Sequence, residues 1–335
     1  MEKIKKILSI ILQLVAVILS IASILSLFRN SENRYLKMLD FPRIQLFILS
    51  LIVLILLIII KRKWKLFNNL LIVGLLIGIT IHSYFLINYT TLVPVEVPTA
   101  QHLKSRDNQF SLLLTNVKMS NRKAPQLIEL IALKKPDLVL AMEVDSWWND
   151  ELAILTKDYP FSHQTINEVT YGMVLYSKFP LRKIEVDYLT NDKVPSFESI
   201  ITFEDGKTFS FHAIHPVPPT RFQDLPDNAG QQENALKKLG KKIVDKEFPT
   251  LVAGDLNDVV WSYVDELTGT KNSLYDLRVG RGFYNSFNAN NFLMRWPLDH
   301  VLVTKEFQLK KLERLSKIGS DHFPIYVELV LVDQQ

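Results

Sequence analysis

Near the C-terminus, Asp321 and His322 stand side by side in Gly319-Ser320-Asp321-His322-Phe323-Pro324, just ahead of the apolar alternation Ile325, Val327, Leu329. A carboxylate and an imidazole at the mouth of a strand can serve phosphate or metal chemistry, one as a hard oxygen donor, the other as a group that changes charge near neutral pH. A Ser-Asp-His run in a loop is more often a solvated turn, so the pair gains meaning only through partners. Such partners recur where apolar runs stop. Asn116 follows Leu112-Leu113-Leu114-Thr115, and Glu143 follows Leu138-Val139-Leu140-Ala141-Met142. His215 ends the run from Phe209 to Ile214, Asp255 and Asn257 follow Leu251-Val252-Ala253-Gly254, and Asp299 heads Val301-Leu302-Val303. Residues from six strand ends can gather on one rim of a β-sandwich, and loops at such a rim are where sites are built.

The elements that must position them are legible from residue 108 onward. Strands are expected at 110–117, 137–142, 172–177, 199–203, 208–214, 250–253, 298–304 and 325–332. Helices are expected at 124–134, about 148–156 and 233–246, where Leu236, Leu239, Ile243 and Val244 recur at helical spacing. Several strands are apolar nearly throughout, which implies sheets covered on both faces. Strands with interspersed helices over some 230 residues predict one α/β or α+β domain with two packed sheets, spanning 108–335.

Residues 1–92 have another character. Three apolar runs, about 7–28, 44–60 and 66–87, are each long enough to cross a hydrocarbon core of roughly 30 Å. They are apolar all round with charges confined to their ends, which suits three transmembrane helices better than a buried bundle. The first run is too long for the core of a cleaved signal peptide, and two more follow it. Pro94 and Pro98 make 93–107 an extended linker. Lys3, Lys5, Lys6, Lys61, Arg62, Lys63 and Lys65 lie to one side, against Arg29, Arg34, Lys37 and Arg43 on the other. That bias puts the N-terminus in the cytoplasm and the C-terminal domain on the extracytoplasmic side of the cytoplasmic (inner) membrane. The chain has no cysteine, which decides nothing about compartment. From residue 101 there are 28 Lys and Arg against 31 Asp and Glu, and before it 11 against 4. A soluble part near −3 argues against a grip on long nucleic acid.

Thr115-Asn116, Met142-Glu143, Tyr171-Gly172-Met173, His215-Pro216, Gly254-Asp255-Leu256-Asn257-Asp258, Leu298-Asp299-His300-Val301 and Gly319-Ser320-Asp321-His322 occur in a familiar order. From about residue 108 to the end, the chain resembles the endonuclease/exonuclease/phosphatase superfamily of exonuclease III-like repair enzymes, DNase I, inositol-phosphate 5-phosphatases and neutral sphingomyelinases. The three spans lie outside that core and look like an added anchor, a layout similar to some membrane-bound bacterial members linked to glycopeptide resistance. The resemblance implies a four-layer sandwich of two mixed β-sheets flanked by helices. It implies Mg²⁺ (or Mn²⁺) held by Glu143, with Asn116 beside it and Asp321 as a further contact. Asp255 would take a proton from water aligned for in-line attack, and Asn257 would position that water or donate to a phosphoryl oxygen. His322 would stabilise the pentavalent phosphorus centre, Asp299 would hold its imidazole, and His215 would supply a second donor. Tyr171 reads either as a donor to phosphate or as a core tyrosine. The activity implied is hydrolysis of a phosphoester, as phosphodiesterase, phosphatase or nuclease. A lipid-linked or small phosphoester suits a tethered, slightly acidic domain. The alternatives are an extracytoplasmic endo- or exonuclease and a catalytically silent domain that binds phosphorylated ligands. Besides substrate, the lipid bilayer is the one partner implied.

Plainer expectations stand beside these. Glu143 can merely cap the helix near Trp147, and Asp255 can form an Asx turn. His212 and His300 are expected to be structural. Trp147, Trp148, Trp261 and Trp296 are expected to pack inside or at a membrane-facing rim. The stripe Lys237, Lys238, Lys241, Lys242 is expected to be a solvated helix face. Pro216-Val217-Pro218-Pro219 and the polar stretch to Gln232 read as a substrate loop or a surface excursion.

Overall fold

The computed structural model describes residues 2–29, 33–60, 66–101, 108–220, 227–228, 230–244, 248–262 and 268–332. The cations at 61–65, residues 102–107 of the expected linker, and 221–226 and 229 of the stretch after Pro219 lie outside the described residues. Internal contacts divide the chain into two compact units, Met1–Val93 and Pro94–Gln335.

The first unit is built on three long helices. They are α1 (Glu2–Leu25), extended by a 3-10 turn at Ser26–Phe28, and, after a short α2 (Arg34–Met38), α3 (Arg43–Ile60) and α4 (Leu66–Leu86). The 18 residues of α3 rise about 27 Å at 1.5 Å each, so even this span is long and apolar enough to cross a membrane. Leu12, Ala16 and Leu19 meet Val53, Leu57, Leu71 and Leu75 inside, while Ile11, Leu14, Ile18 and Ile21 are exposed outside. Apolarity on both faces suits lipid rather than water. Small residues let α1 and α4 approach closely, since a Cβ at Gly74 or Gly78 would meet the hydroxyl of Ser20 or Ser23 at 2.7 Å. Near one end of the helices, buried polar groups pair. Ser23 Oγ lies 2.9 Å from His82 Nε2, and Arg29 bonds Asp40 at 2.8 Å. Arg43 is fully buried, bonds Asp40, and holds its guanidinium 3.8 Å from the Phe85 ring centre.

In the second unit the strands are β1 (Gln109–Asn116), β2 (Leu138–Met142), β3 (Phe161–Thr165), β4 (Met173–Ser177), β5 (Leu181–Asp187) and β6 (Ser196–Thr202). They continue with β7 (Thr208–Ala213), β8 (Thr250–Asp255), β9 (Tyr275–Asp276), β10 (Asp299–Val303), β11 (Phe307–Arg314) and β12 (Ile325–Leu331). The helices are α5 (Ala124–Lys134), α6 (Ser146–Leu152) and α7 (Gln231–Val244). One sheet runs β11-β12-β1-β2-β4-β3 and the other β5-β6-β7-β8-β10-β9. Each holds one parallel pair, β1 with β2 across α5 and β7 with β8 across α7, and its remaining pairs are antiparallel.

Side-chain alternation with a period of two builds the layers. Phe110, Leu112 and Leu114 of β1 pack in the core with Phe209, Phe211, Leu251, Ala253, Val301 and Val303 of the other sheet. Leu113, Val139 and Ala141 point the other way, onto Leu127 and Ile131 of α5 and Trp148 and Leu152 of α6. Val252 and Leu302 likewise meet Leu236, Leu239 and Ile243 of α7. The result is the expected four layers, two mixed sheets between helices. The expected linker differs in its first part. Val97 is 2% exposed and joins the core, while the Ala100 N–H and the Pro98 carbonyl both bond Leu309 at 2.9 Å, adding this segment to the edge at β11. Proline excludes helix there, and an extended segment beside an open edge satisfies that edge.

Candidate active site

Strand register brings the chemistry to one rim. Asn116 pairs with Met142 at the ends of β1 and β2, and Asp255 pairs with Asp299 where β8 ends and β10 begins. The Asn116 side chain joins the two sheets, its Nδ2 donating to Glu143 Oε1 at 2.8 Å and to Asp255 Oδ2 at 3.1 Å. Glu143, one residue past β2, has a left-handed backbone with φ 60°. Lys118 and Asn257, also just past strand ends, have φ of 60° and 53°. Such conformations cost on the order of 1–3 kcal/mol each and cluster at functional sites. The second Glu143 oxygen accepts the Met119 N–H at 3.1 Å. The helix-cap reading of Glu143 fails because Asp145 caps α6, accepting the Trp148 N–H at 2.9 Å. Burial raises the Glu143 pKa, against the bonds from Asn116 and Met119, and the Asp321 charge pushes the same way.

His322 sits between two carboxylates. Its Nδ1 lies 2.7 Å from Asp299 Oδ2, and its Nε2 lies 3.4 Å from Asp255 Oδ2. Burial alone would discharge the imidazole, but the Asp299 and Asp255 charges outweigh burial and raise its pKa to about 10. Asp255, 1% exposed, is raised by burial to about 7, although His322 opposes the shift. Asp299 is equally buried, but His322 and its own hydrogen bonds lower its pKa below the usual value. Burial, helped by the nearby His322 charge, lowers His215 to about 3, so this imidazole is neutral; its Nε2 lies 3.8 Å from Asp255 Oδ2. Tyr171 packs on His215 with ring centres 5.2 Å apart, and burial holds its hydroxyl protonated. Tyr171 Oη and His215 Nδ1 are buried with no hydrogen-bond partner among the described residues. Such atoms are costly unless a ligand engages them.

All nine residues singled out in the sequence therefore lie in this region. Asn257 N–H donates to Asp255 Oδ1 at 2.9 Å, while its side-chain amide donates to the Pro216 carbonyl at 2.9 Å. Asp321 Oδ2 accepts from Lys118 Nζ at 2.8 Å. His212 and His300 are structural, the first 3.3 Å from Glu198 and the second bonded to the Asp258 carbonyl at 2.9 Å. Trp148, Trp261 and Trp296 are buried, and Lys238 and Lys242 of the basic stripe bond the Leu189 carbonyl and Asp187. Sequence reasoning missed Lys118, Ser320 and Phe287. Ser320 Oγ donates to the Asn116 carbonyl at 2.7 Å and accepts the His322 N–H at 3.0 Å, latching the two motifs together. Phe287 covers His322 with ring centres 4.9 Å apart. Ser320 stood inside a motif already marked, whereas nothing in the sequence around Phe287 or Lys118 signals a role.

Two groups here can be tested as a cation cage. Asp255, Asp299 and His322 bring one ligand atom each within 4.8 Å of the others. With His322 protonated, both its nitrogens are donors, so this trio is built to hold protons rather than a cation. Glu143 fits better, with Asp321 near it and the Asn116 Nδ2 turned to it as a donor that orients its carboxylate. Glu143 is a hard oxygen donor, each of its oxygens accepts one bond from the protein and keeps a further lone pair, and its burial leaves its charge poorly compensated.

A sequence model of the Endonuclease/Exonuclease/phosphatase family matches residues 113–322, from within β1 to His322. Among solved structures, the chain is similar to TDP2 of D. rerio with a single-strand DNA product, at 17% identity over 67% of this chain and 99% of that one, with a TM-score of 0.56. It is similar to an endonuclease/exonuclease/phosphatase from Beutenbergia cavernae DSM 12333, at 17% identity over 67% and 72% of the two chains, with a TM-score of 0.54. For the human Nocturnin catalytic domain with bound sulfate, the values are 15%, 67%, 94% and 0.53. At these identities the likeness speaks for the fold. No curated protein sequence matches the chain. The matched span covers most of the sandwich and every residue of the rim from Asn116 to His322, and the chain belongs to the endonuclease/exonuclease/phosphatase family, whose members are phosphoesterases.

Proposed function

We propose that this phosphoesterase is membrane-anchored and dependent on Mg²⁺ or Mn²⁺, with its site on the extracytoplasmic side and a lipid-linked or small phosphoester as substrate. The observation that carries the reading is His322 held charged between Asp299 and Asp255, beside the Asn116–Glu143 pair. Glu143 would hold the metal, with the Asn116 amide orienting its carboxylate and Asp321 next to them; when bound, the metal would neutralise a phosphoryl oxygen and charge developing on the leaving group. Asp255 Oδ2 takes the proton of the attacking water, a role its pKa of about 7 suits. The Asn257 N–H fixes Asp255 Oδ1, which leaves Oδ2 facing the site. His322 donates from Nε2 to a phosphoryl oxygen, while Nδ1 stays bonded to Asp299. Tyr171 Oη and His215 are further donors buried at the same place. No serine or cysteine nucleophile is required.

The three apolar helices and the excess of Lys and Arg before the first span and between the second and third support the anchor and its orientation. The slightly acidic soluble part favours lipid-linked or small substrates. A nuclease activity is the second reading, favoured by the fold's likeness to a TDP2 that holds a single-strand DNA product. The test uses the full chain in nanodiscs, wild type beside Glu143→Ala and His322→Ala, with Mg²⁺, Mn²⁺ or EDTA. Substrates are a chromogenic phosphodiester and phosphomonoester, a polyprenyl phosphate and supercoiled plasmid. Metal-dependent turnover that falls about 10²–10⁴-fold in His322→Ala is expected. Turnover that survives EDTA or both substitutions sinks the mechanism, plasmid nicking in place of phosphate release selects the nuclease, and silence on every substrate selects a binding role. A C-terminal reporter enzyme active only in the cytoplasm would reverse the orientation.

A further inference from the structure

Lys118 is a cation built into the site that no residue pattern announces. Its N–H donates to Asn116 Oδ1 at 2.9 Å, closing a turn in which the left-handed backbone of Lys118 sends the side chain back over the rim. There Nζ lies 2.8 Å from Asp321 Oδ2, in a pair whose side chains are 40% and 19% exposed, so the ammonium is paired yet open to solvent. Both residues beside Lys118's turn belong to the Glu143 site: Asn116 bonds Glu143 Oε1, and the Met119 N–H bonds Glu143 Oε2. Asp321 is close enough to Glu143 for its charge to be felt there, and it precedes His322 directly.

The geometry points to Lys118 as the second cation of the reaction, its ammonium held on the Asp321 carboxylate beside the Glu143 site. This inference rests on the phosphoester-hydrolase reading above. Among the described residues, the carboxylates of Glu143, Asp255, Asp299 and Asp321 face the site, with His322 and Lys118 as the basic groups beside them. A second divalent ion at Asp321 would have to bind against the Lys118 ammonium, 2.8 Å from its Oδ2. An ammonium also differs from a metal ion in what it gives the substrate. It offers three N–H donors and no coordination shell to rearrange, so it binds a phosphoryl or leaving-group oxygen by charge and hydrogen bonding, without transferring a proton. Substrate is thus gripped between an ion at Glu143 and an ammonium at Asp321, and the site operates with one metal.

Mn²⁺ binding to the full chain in nanodiscs, followed by electron paramagnetic resonance without substrate, separates this from the reading it rests on. Wild type is expected to bind one ion at the site, lost in Glu143→Ala. Lys118→Ala and Lys118→Asp are expected to bind a second ion, which a purely structural surface lysine would not control. In parallel, Lys118→Met is expected to lower kcat/KM for a chromogenic phosphodiester about 10- to 100-fold, the loss expected for one charged hydrogen bond, and Lys118→Arg to restore part of it. Two Mn²⁺ ions in wild type, or one ion in every Lys118 variant together with unchanged kcat/KM, overturn the role of Lys118 and leave the hydrolase reading standing. No Mn²⁺ binding in wild type overturns both.

Discussion

Asp299→Asn tests whether the charge on His322 is part of the chemistry. The substitution keeps an oxygen where Oδ2 now bonds His322 Nδ1 at 2.7 Å, and removes the negative charge. A hydrogen bond to a charged group contributes about 1.5–3 kcal/mol. At about 1.4 kcal/mol per unit, this corresponds to one to two pKa units. His322, held near pKa 10 chiefly by the Asp299 charge against burial, should therefore lose its proton at lower pH. The sign follows from the role: His322 donates a proton, so activity falls as pH rises through its pKa, and the alkaline limb of kcat/KM should move down by one to two units. Asp255 acts in the opposite sense. It must be deprotonated, so activity rises through about pH 7 in wild type. Burial sets that value first, but the Asp299 charge also raises it, so the acid limb should move down as well. The whole bell shifts to lower pH, and its top falls about tenfold or more as transition-state stabilisation is lost. The assay is kcat/KM for a chromogenic phosphodiester from pH 5.5 to 10.5 at saturating metal, wild type beside Asp299→Asn. An alkaline limb at the same pH in both proteins refutes the assignment, whatever the drop in rate, since it would mean that the ionisation lost at high pH is not that of His322.

Two further substitutions test the frame that holds the site. Gly254→Ala places a Cβ 1.8 Å from the Ile214 carbonyl oxygen, where β8 passes the end of β7 just before Asp255. Overpacking of this kind costs about 1–3 kcal/mol, so thermal unfolding of the full chain should shift down, by several degrees for a domain of this size. Asp40→Ala leaves Arg43 buried without its carboxylate partner in the three-helix unit. Removing one member of a buried ion pair costs about 3–5 kcal/mol, and the helices should unfold at lower denaturant in detergent, while kcat/KM of the protein that stays folded is unchanged.

The parts of the fold legible in the sequence are those under the strongest packing constraint. β1, β2, β4, β7, β8, β10 and β12, all interior to their sheets, read as apolar runs because they are covered on both faces. The four strands that escaped notice, β3, β5, β9 and β11, are the four sheet edges. β5, with Arg182, Lys183 and Glu185, and β11, with Lys310, Lys311, Glu313 and Arg314, carry the charges that keep an edge from pairing with another chain. Those same charges erase the alternation a reader looks for. At the site, each polar residue stands at or just beyond one end of an interior strand, so the six strand ends were visible, and the motif order supplied the rest. Lys118 was not legible: a lysine two residues past a strand looks like any solvated loop residue until Asp321, far along the chain, is found beside it.

The centre of the site makes poor sense as a device for stability. Asp255 and Asp299 are 1% exposed and His322 is 4% exposed, so three ionisable groups have been taken out of water together. A buried ion pair or triad is often no more stable than apolar side chains of the same volume, because desolvation offsets the attraction. Left-handed backbone at Lys118, Glu143 and Asn257 adds strain at the same rim. What these costs obtain is two groups with opposite proton affinities pressed together, a carboxylate near pKa 7 and an imidazole near 10, with the Asn116 amide tying the carboxylate to Glu143 on the opposite sheet. Adjacent sites pushed apart in this way divide acid and base roles between them. The sandwich supplies the rigidity the division needs, since each sheet ends a parallel pair at this rim and the core between them fixes the spacing of Asn116, Glu143 and Asp255.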